Sequence, residues 1–410
     1  MSARSRWYSM RNFKRALQCF AFMGLHPGAF AGDVLITAKY TPSSESNRFT
    51  NTTPLSGYCV RYPSECGGEK FSVALPITYT KSALIGNGPI LDRWGVMIPA
   101  ERNVMVVSDS GNVETVSFAF TYISQSVFND ASTWGNNQAP YGTSWETGGG
   151  CTFANGWMAD SYRDNDALWA VKTPGQFTYC YEIDGWKRDP TTFQEGQAHA
   201  FSVGYRLTTP NPLRMKAGIY RGATTYTVGE YSDIGLGPRV SELNAASVTL
   251  DFELEVQHAL ALEFPANSDR LILEPPGSWS TWLGGGPAPV NLVREVPFRI
   301  TNSGPLEIYM TCEHELAGSC AIANERNGEQ APLNVLLTLP DLITESGLPV
   351  RRRAIPVGEG AALELDVVTP AVNQPASLMF ETARGATAEM VKNAGDKYVG
   401  AVTVVFDAAL

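Results

Sequence analysis

The sequence predicts an all-β protein of two or three domains, and three observations carry the prediction. Short runs of alternating apolar and polar residues recur along the chain, the period-two signature of strands with one buried face. Turn formers such as Gly86-Asn87-Gly88 and Asp109-Ser110-Gly111 separate the runs. No helical periodicity beyond two turns and no internal repeat breaks the series, so the strands are expected to close into sandwiches or barrels. A chain of 410 residues gives each such domain an ample core.

Ahead of the first strand, Arg4, Arg6, Arg11, Lys14 and Arg15 precede an apolar run over residues 16–30 that closes on Ala29-Phe30-Ala31. A basic start, an apolar centre and small residues at a cleavage position describe a secretory signal, so residues 1–31 are expected to be removed. Met10 offers an alternative start of more usual signal length. The run is shorter than the roughly 20 residues of a membrane span and contains His26 and Pro27. Its removal leaves 26 basic against 41 acidic residues, a net charge of −15. That balance disfavours nucleic acid or an anionic membrane as a partner.

Of the seven cysteines Cys19 leaves with the signal, and Cys59, Cys66, Cys151, Cys180, Cys312 and Cys320 remain. Six cysteines permit about 15 pairings. Their grouping favours sequential pairs, Cys59–Cys66, Cys151–Cys180 and Cys312–Cys320, formed in an oxidising compartment. No Cys-x-x-Cys occurs and three histidines survive processing, so neither a metal nor a cofactor is expected.

In chain order, strands are expected over residues 34–40, 71–79, 104–108 and 113–122, with a polar loop over residues 43–53. Residues 129–190 differ in composition. They hold Trp134, Trp145, Trp157, Trp169 and Trp186, with Tyr141 and Tyr162, among Asn, Gly, Asp and Thr. Long aromatic, amide-rich loops suit carbohydrate, because sugar rings stack on indoles while amides and carboxylates bond hydroxyls. The same tryptophans can instead anchor loops on the core. Trp134, Tyr141 and Trp145, in Asn/Gly-rich sequence without an apolar pattern, are the receptor-binding candidates.

Further strands are expected over residues 201–207 and 218–229. Leu250, Phe252, Leu254, Val256, Leu260, Leu262 and Phe264 then share one parity, with Asp251, Glu253, Glu255 and Gln257 on the other face. That alternation is too long for one strand, since strands rarely exceed about ten residues. It reads as the last strand of a domain over residues 32–256 running into the first strand of a domain over residues 257–410. His258 breaks the apolar file at the hinge Gln257-His258-Ala259. Glu253 and Glu255 read as a solvated strand face rather than a catalytic pair. Domain two continues with strands near residues 296–300, 306–312, 335–339, 361–368 and 376–381. Arg351, Arg352 and Arg353 form its dense basic cluster, read as solvated.

The chain's last alternating file is Tyr398, Gly400, Val402, Val404 and Phe406. The pattern Tyr-x-Gly-x-Val-x-Val-x-Phe resembles the terminal strand of chaperone–usher pilus subunits. Together with the signal, the early close pair Cys59/Cys66, the wider pair Cys151/Cys180 and the strand-to-strand junction, the layout resembles the CfaE/CblD-like family. Its members are tip adhesins and pilus initiators (minor pilins) of class 5 fimbriae and cable pili, of the alternate chaperone–usher pathway.

The resemblance implies two immunoglobulin-like β-sandwiches in tandem, the C-terminal one an incomplete pilin fold needing donor-strand complementation. Tyr398, Val402, Val404 and Phe406 would face the groove shared with a periplasmic chaperone and then with the donor strand of the major pilin subunit. It also implies an outer-membrane usher, a position at the fimbrium tip on the cell surface, and a host-cell or surface glycan or glycoprotein as receptor. A tip subunit needs no N-terminal extension of its own, and the mature chain soon enters its first strand after Gly32. The family's receptor arginines do not carry over: Tyr58 precedes the first cysteine, and Val228-Gly229-Glu230-Tyr231 stands where an arginine pair is expected. The competing reading is a secreted glycan-active enzyme, which would need two converging carboxylates from Asp160, Asp164, Asp166, Glu182 and Asp184.

Overall fold

A computed structural model describes residues 2–4, 33–42, 47–129, 146–158, 164–184, 189–392 and 395–408. The chain is all-β and folds as two sandwiches with separate cores. One core runs from Ile36 to Val256 and the other from Leu271 to Val402.

In the first sandwich the strands of the large sheet are β1 (Asp33–Tyr40), β2 (Tyr79–Leu84), β4 (Arg102–Ser108), β5 (Val113–Asn129), β9 (Phe193–Thr208), β10 (Gly218–Gly229) and β11 (Ser247–Val256). Their order across the sheet is β2-β9-β5-β4-β10-β11-β1. A branch, β6 (Cys151–Met158) on β7 (Asp164–Val171), joins the distal half of β5. The opposing sheet is built on β3 (Gly95–Ile98) and β8 (Thr178–Ile183). Trp94, Phe118, Tyr205, Tyr226 and Phe252 fill the space between the sheets.

β11 shows why these residues make this sheet. Val248, Leu250, Phe252, Leu254 and Val256 point into the core, while Glu253 and Glu255 face out and pair with Arg221 and Lys39, each at 3.0 Å. β1 lies parallel to β11, Val34 opposite Leu250 and Tyr40 opposite Val256. The alternation stops at Val256 and resumes at Leu260, with Gln257-His258-Ala259 outside any strand.

Residues 129–190 are not one long loop, as composition suggested. β6, β7, β8 and the strand Glu146–Gly149 lie inside them, and Trp169 is in the core. The strand signal is hidden because Asn165 and Asp166 are buried; hydrogen bonds to Ser124 and Ser126 satisfy Asp166. The strand expected over residues 71–79 is two, Phe71–Ala74 and β2, divided around Pro76, whose ring removes a ladder donor.

The second sandwich contains β12 (Leu260–Glu263), β13 (Val293–Asn302), β14 (Leu306–Cys312), β15 (Ser319–Asn324), β16 (Gln330–Thr338), β17 (Ala371–Thr382) and β18 (Tyr398–Ala408). One sheet runs β12-β13-β17-β16-β15, and β18 with β14 and the strand Leu363–Val367 forms the other. The three disulfides form the sequential pairs, with Cα–Cα separations of 5.6, 5.3 and 5.5 Å in chain order. Cys312–Cys320 closes the base of a hairpin that interrupts β14 and β15, which otherwise follow each other along β18. The basic cluster is paired on the surface: Arg351 with Asp341, Arg352 with Glu381 and Arg353 with Glu345.

Candidate functional site: an unpaired strand edge in the second sandwich

Among the described residues, β18 has one occupied edge and one largely open edge. On the occupied side β14 pairs with Val402–Ala408 and β15 with Tyr398 and Val399. Backbone bonds from Glu313 to Ala401 and from Glu325 to Lys397 continue that side. On the opposite side, Ser2–Arg4 runs parallel to β18, with Ser2 opposite Val399 and Arg4 opposite Ala401. The same three residues lie antiparallel to Arg270–Leu271. Beyond Ala401 no strand among the described residues occupies this second edge. β12, at the end of the facing sheet, likewise pairs among the described residues on one side only, with β13.

Side-chain burial follows the gap. Along β18 the core-facing file starts buried at Tyr398, Gly400 and Val402, then becomes half-buried at Val404, Phe406 and Ala408. On β12, Leu260 and Leu262 are half-buried, as is Phe264 beyond it. Phe298 of β13 is the floor between them. Its ring stacks on Phe264 at 4.8 Å and meets Phe406 edge-on at 5.7 Å. Each half-buried Phe, Leu or Val leaves on the order of 1 kcal/mol of burial unrealised. The result is a hydrophobic seam between two strand edges that, beyond Ala401, no other described residue pairs, with room for one more strand by backbone pairing and alternate side chains. At the start of β18 the enclosed Asp396 carboxylate is held by Arg326 at 2.6 Å and by the Asn324 amide at 2.7 Å.

Two joins place the rest. His258 sits between the sandwiches: Nε2 donates to the Met215 carbonyl at 2.8 Å and Nδ1 faces the Ser303 hydroxyl at 3.4 Å. The ring lies edge-on to Tyr40 and fills the space a side chain on Gly304 would need. Burial keeps the imidazole below its ordinary pKa, hence neutral. In the first sandwich, the short helix α1 (Tyr58–Arg61), inside the Cys59–Cys66 loop, lies on the outer face of β5 and β7. Arg61 reaches the buried Asp166 carboxylate at 2.8 Å, Ser124 Oγ at 2.6 Å and the Ala200 carbonyl at 3.0 Å.

Trp134, Tyr141, Trp145 and Asp160 lie outside the described residues. Of the remaining acids of the enzymatic reading, Asp164 and Asp166 share one face of β7 two residues apart, while Glu182 and Asp184 belong to the other sheet. Asp166 is held by Arg61, Ser124 and Ser126 on β7, Asp164 lies 3.5 Å from His199, and Glu182 and Asp184 are buried on and just beyond β8 of the other sheet. Among the described residues no group of three or more His, Cys, Asp or Glu could hold a metal ion, and no helix is long and apolar enough to cross a membrane. The groove residues were legible as an alternating file. Leu260, Leu262, Phe264 and Phe298 were missed as their partners, because only the fold shows which strand faces the gap.

No protein-family model matches the chain, and no curated protein does. Among solved structures, the chain is similar to one from the CsuC–CsuE chaperone–tip adhesion subunit pre-assembly complex of archaic chaperone–usher Csu pili of Acinetobacter baumannii. Sequence identity is 7%, 92% of this chain and 99% of that chain are covered, and the TM-score is 0.21. A TM-score that low carries no inference about role.

Proposed function

We propose that the chain is a two-domain subunit of a chaperone–usher pilus: an adhesin domain followed by a pilin domain that lacks its final strand. The observation that supports this most is the seam of the second sandwich, where core-facing residues lose burial as β18 runs past Ser2–Arg4 on its second edge. A periplasmic chaperone would cover the seam first and the major pilin's donor strand would fill it later, at an outer-membrane usher. Val404 and Phe406 on β18, with Leu260, Leu262 and Phe264 opposite, are the side chains the incoming strand would contact, over a floor of Phe298, Val402 and Tyr398. In the exported chain the signal would take Ser2–Arg4 with it, freeing the slot beside Val399–Ala401. The first sandwich, with no comparable gap among its described residues, would bind a host or surface glycan from the fimbrium tip, and the chain would start pilus assembly. The three disulfides fit a route through an oxidising periplasm.

The test is complementation. A donor strand of the major pilin is appended after Leu410, and solubility, oligomeric state and melting temperature are compared with those of the chain alone. The reading predicts aggregation of the chain without chaperone and a soluble, more stable monomer with the added strand. A soluble, equally stable chain without either would defeat it.

A further inference from the structure

The outer face of the first sandwich carries a second constructed surface at the end opposite His258. β9, β5 and β7 are adjacent, and their registers set two rows of side chains on the face away from the core. One row is Gln197, Phe128 and Asp164; the next is His199, Ser126 and Asp166. Ser126 and Asp166 are buried beneath Arg61, whereas Phe128 is 41% exposed and Gln197 is exposed. Asp164 and His199 are about 40% exposed and stand 3.5 Å apart, Oδ1 to Nε2.

Local backbone supports the arrangement. β9 slips register between His199 and Ser202, and Ala200 in that bulge has φ 49°, a left-handed conformation costly for a residue with a side chain. Arg61, tethered in the disulfide loop, accepts no freedom there: it donates to the Ala200 carbonyl while pairing with Asp166. Among the described residues Asp164 Oδ1 makes no hydrogen bond, its one polar neighbour being His199 Nε2 at 3.5 Å, so the carboxylate keeps acceptor capacity.

From these positions we infer that Phe128, Asp164, His199 and Gln197 form a binding platform for a neutral carbohydrate. Phe128 offers a flat apolar ring for the apolar face of a pyranose. Asp164 accepts hydroxyl hydrogens, and the Gln197 amide and the His199 imidazole supply donors at the rim. Charge narrows the ligand. His199 is the single basic residue in the two rows, and Arg61 is engaged by Asp166. Asp164 therefore disfavours sialylated or sulfated sugars. The inference rests on the adhesin reading and gives it a site among the described residues.

The experiment uses the full chain with its disulfides formed and immobilised oligosaccharides of glucose, galactose and mannose, with N-acetylneuraminic acid as the anionic arm. The expected result is binding to at least one neutral sugar, weakened about tenfold or more by Phe128→Ser and by Asp164→Asn. Met105→Ser, at an exposed position of β4 outside the two rows, should leave binding unchanged, and unchanged melting temperatures show that the variants fold. Neutral-sugar binding untouched by Phe128→Ser and Asp164→Asn overturns the platform and leaves the adhesin reading standing. Preference for N-acetylneuraminic acid overturns the ligand class. Binding to no probe overturns the platform and glycan recognition together, while donor-strand complementation still decides the assembly role.

Discussion

Phe406 meets Phe298 edge-on with ring centroids 5.7 Å apart, yet Phe298 is buried and Phe406 only half so. The pair straddles the boundary between finished core and open seam. Phe406→Ala is therefore expected to cost little in the chain alone and about 3 kcal/mol once a donor strand covers the ring. Urea unfolding of both forms measures the difference; equal costs would mean that the seam does not close over Phe406.

Arg61→Ala should be far more damaging than its partly exposed position suggests. It strands the Asp166 carboxylate, whose pKa burial already raises, and breaking such a pair typically costs about 3–5 kcal/mol. Adding Asp166→Asn should recover a large part. A double-mutant cycle in denaturant that shows simple additivity would contradict the coupling.

Lys81 is fully buried with its ammonium on the Leu236 carbonyl, and burial lowers its pKa to about 7, against 10.5 for a free lysine. The folded chain therefore binds fewer protons than the unfolded chain between those values. Stability should rise with pH across that window and be flat below about pH 7. Lys81→Met is expected to raise stability at pH 7 by on the order of 2 kcal/mol and to flatten the rise toward pH 9.5. Thermal melts of both proteins across pH 6–9.5 check it.

His258 should loosen the junction in acid. Its folded pKa lies below the ordinary 6.5 because of burial, so its contribution is present above 6.5 and is lost as pH falls through the folded value. A single melt at pH 7 is expected to separate into two transitions as the pH is taken below 6.5. His258→Phe, which keeps a ring but not the bond to Met215, should remove that dependence; a persistent separation would assign it elsewhere.

The architecture was legible wherever one face of a strand is apolar and the other wet. β11 and β18 announce themselves by alternation, and the break at Gln257-His258-Ala259 appears as a parity file too long for one strand. β7 did not, since Asn165 and Asp166 are polar residues buried by hydrogen bonding and an ion pair, a pattern that periodicity reads as loop. The same blindness hid the outer platform. Phe128, Asp164 and His199 are far apart in sequence, and only the registers of β9, β5 and β7 make them neighbours. The seam was half visible: one wall is a sequence pattern, while the other depends on β12 lying at the end of the facing sheet.

On the proposed reading, a sandwich completed by a partner's strand makes the last step of its folding bimolecular. The rate of completion then scales with the concentration of whatever supplies the strand, so a shortage of partner shows up as misassembled material rather than as slower folding. Any extended segment with the right alternation competes for the same slot, including β18 of another copy. Quality control for such a chain is a matter of supply and timing as much as of sequence.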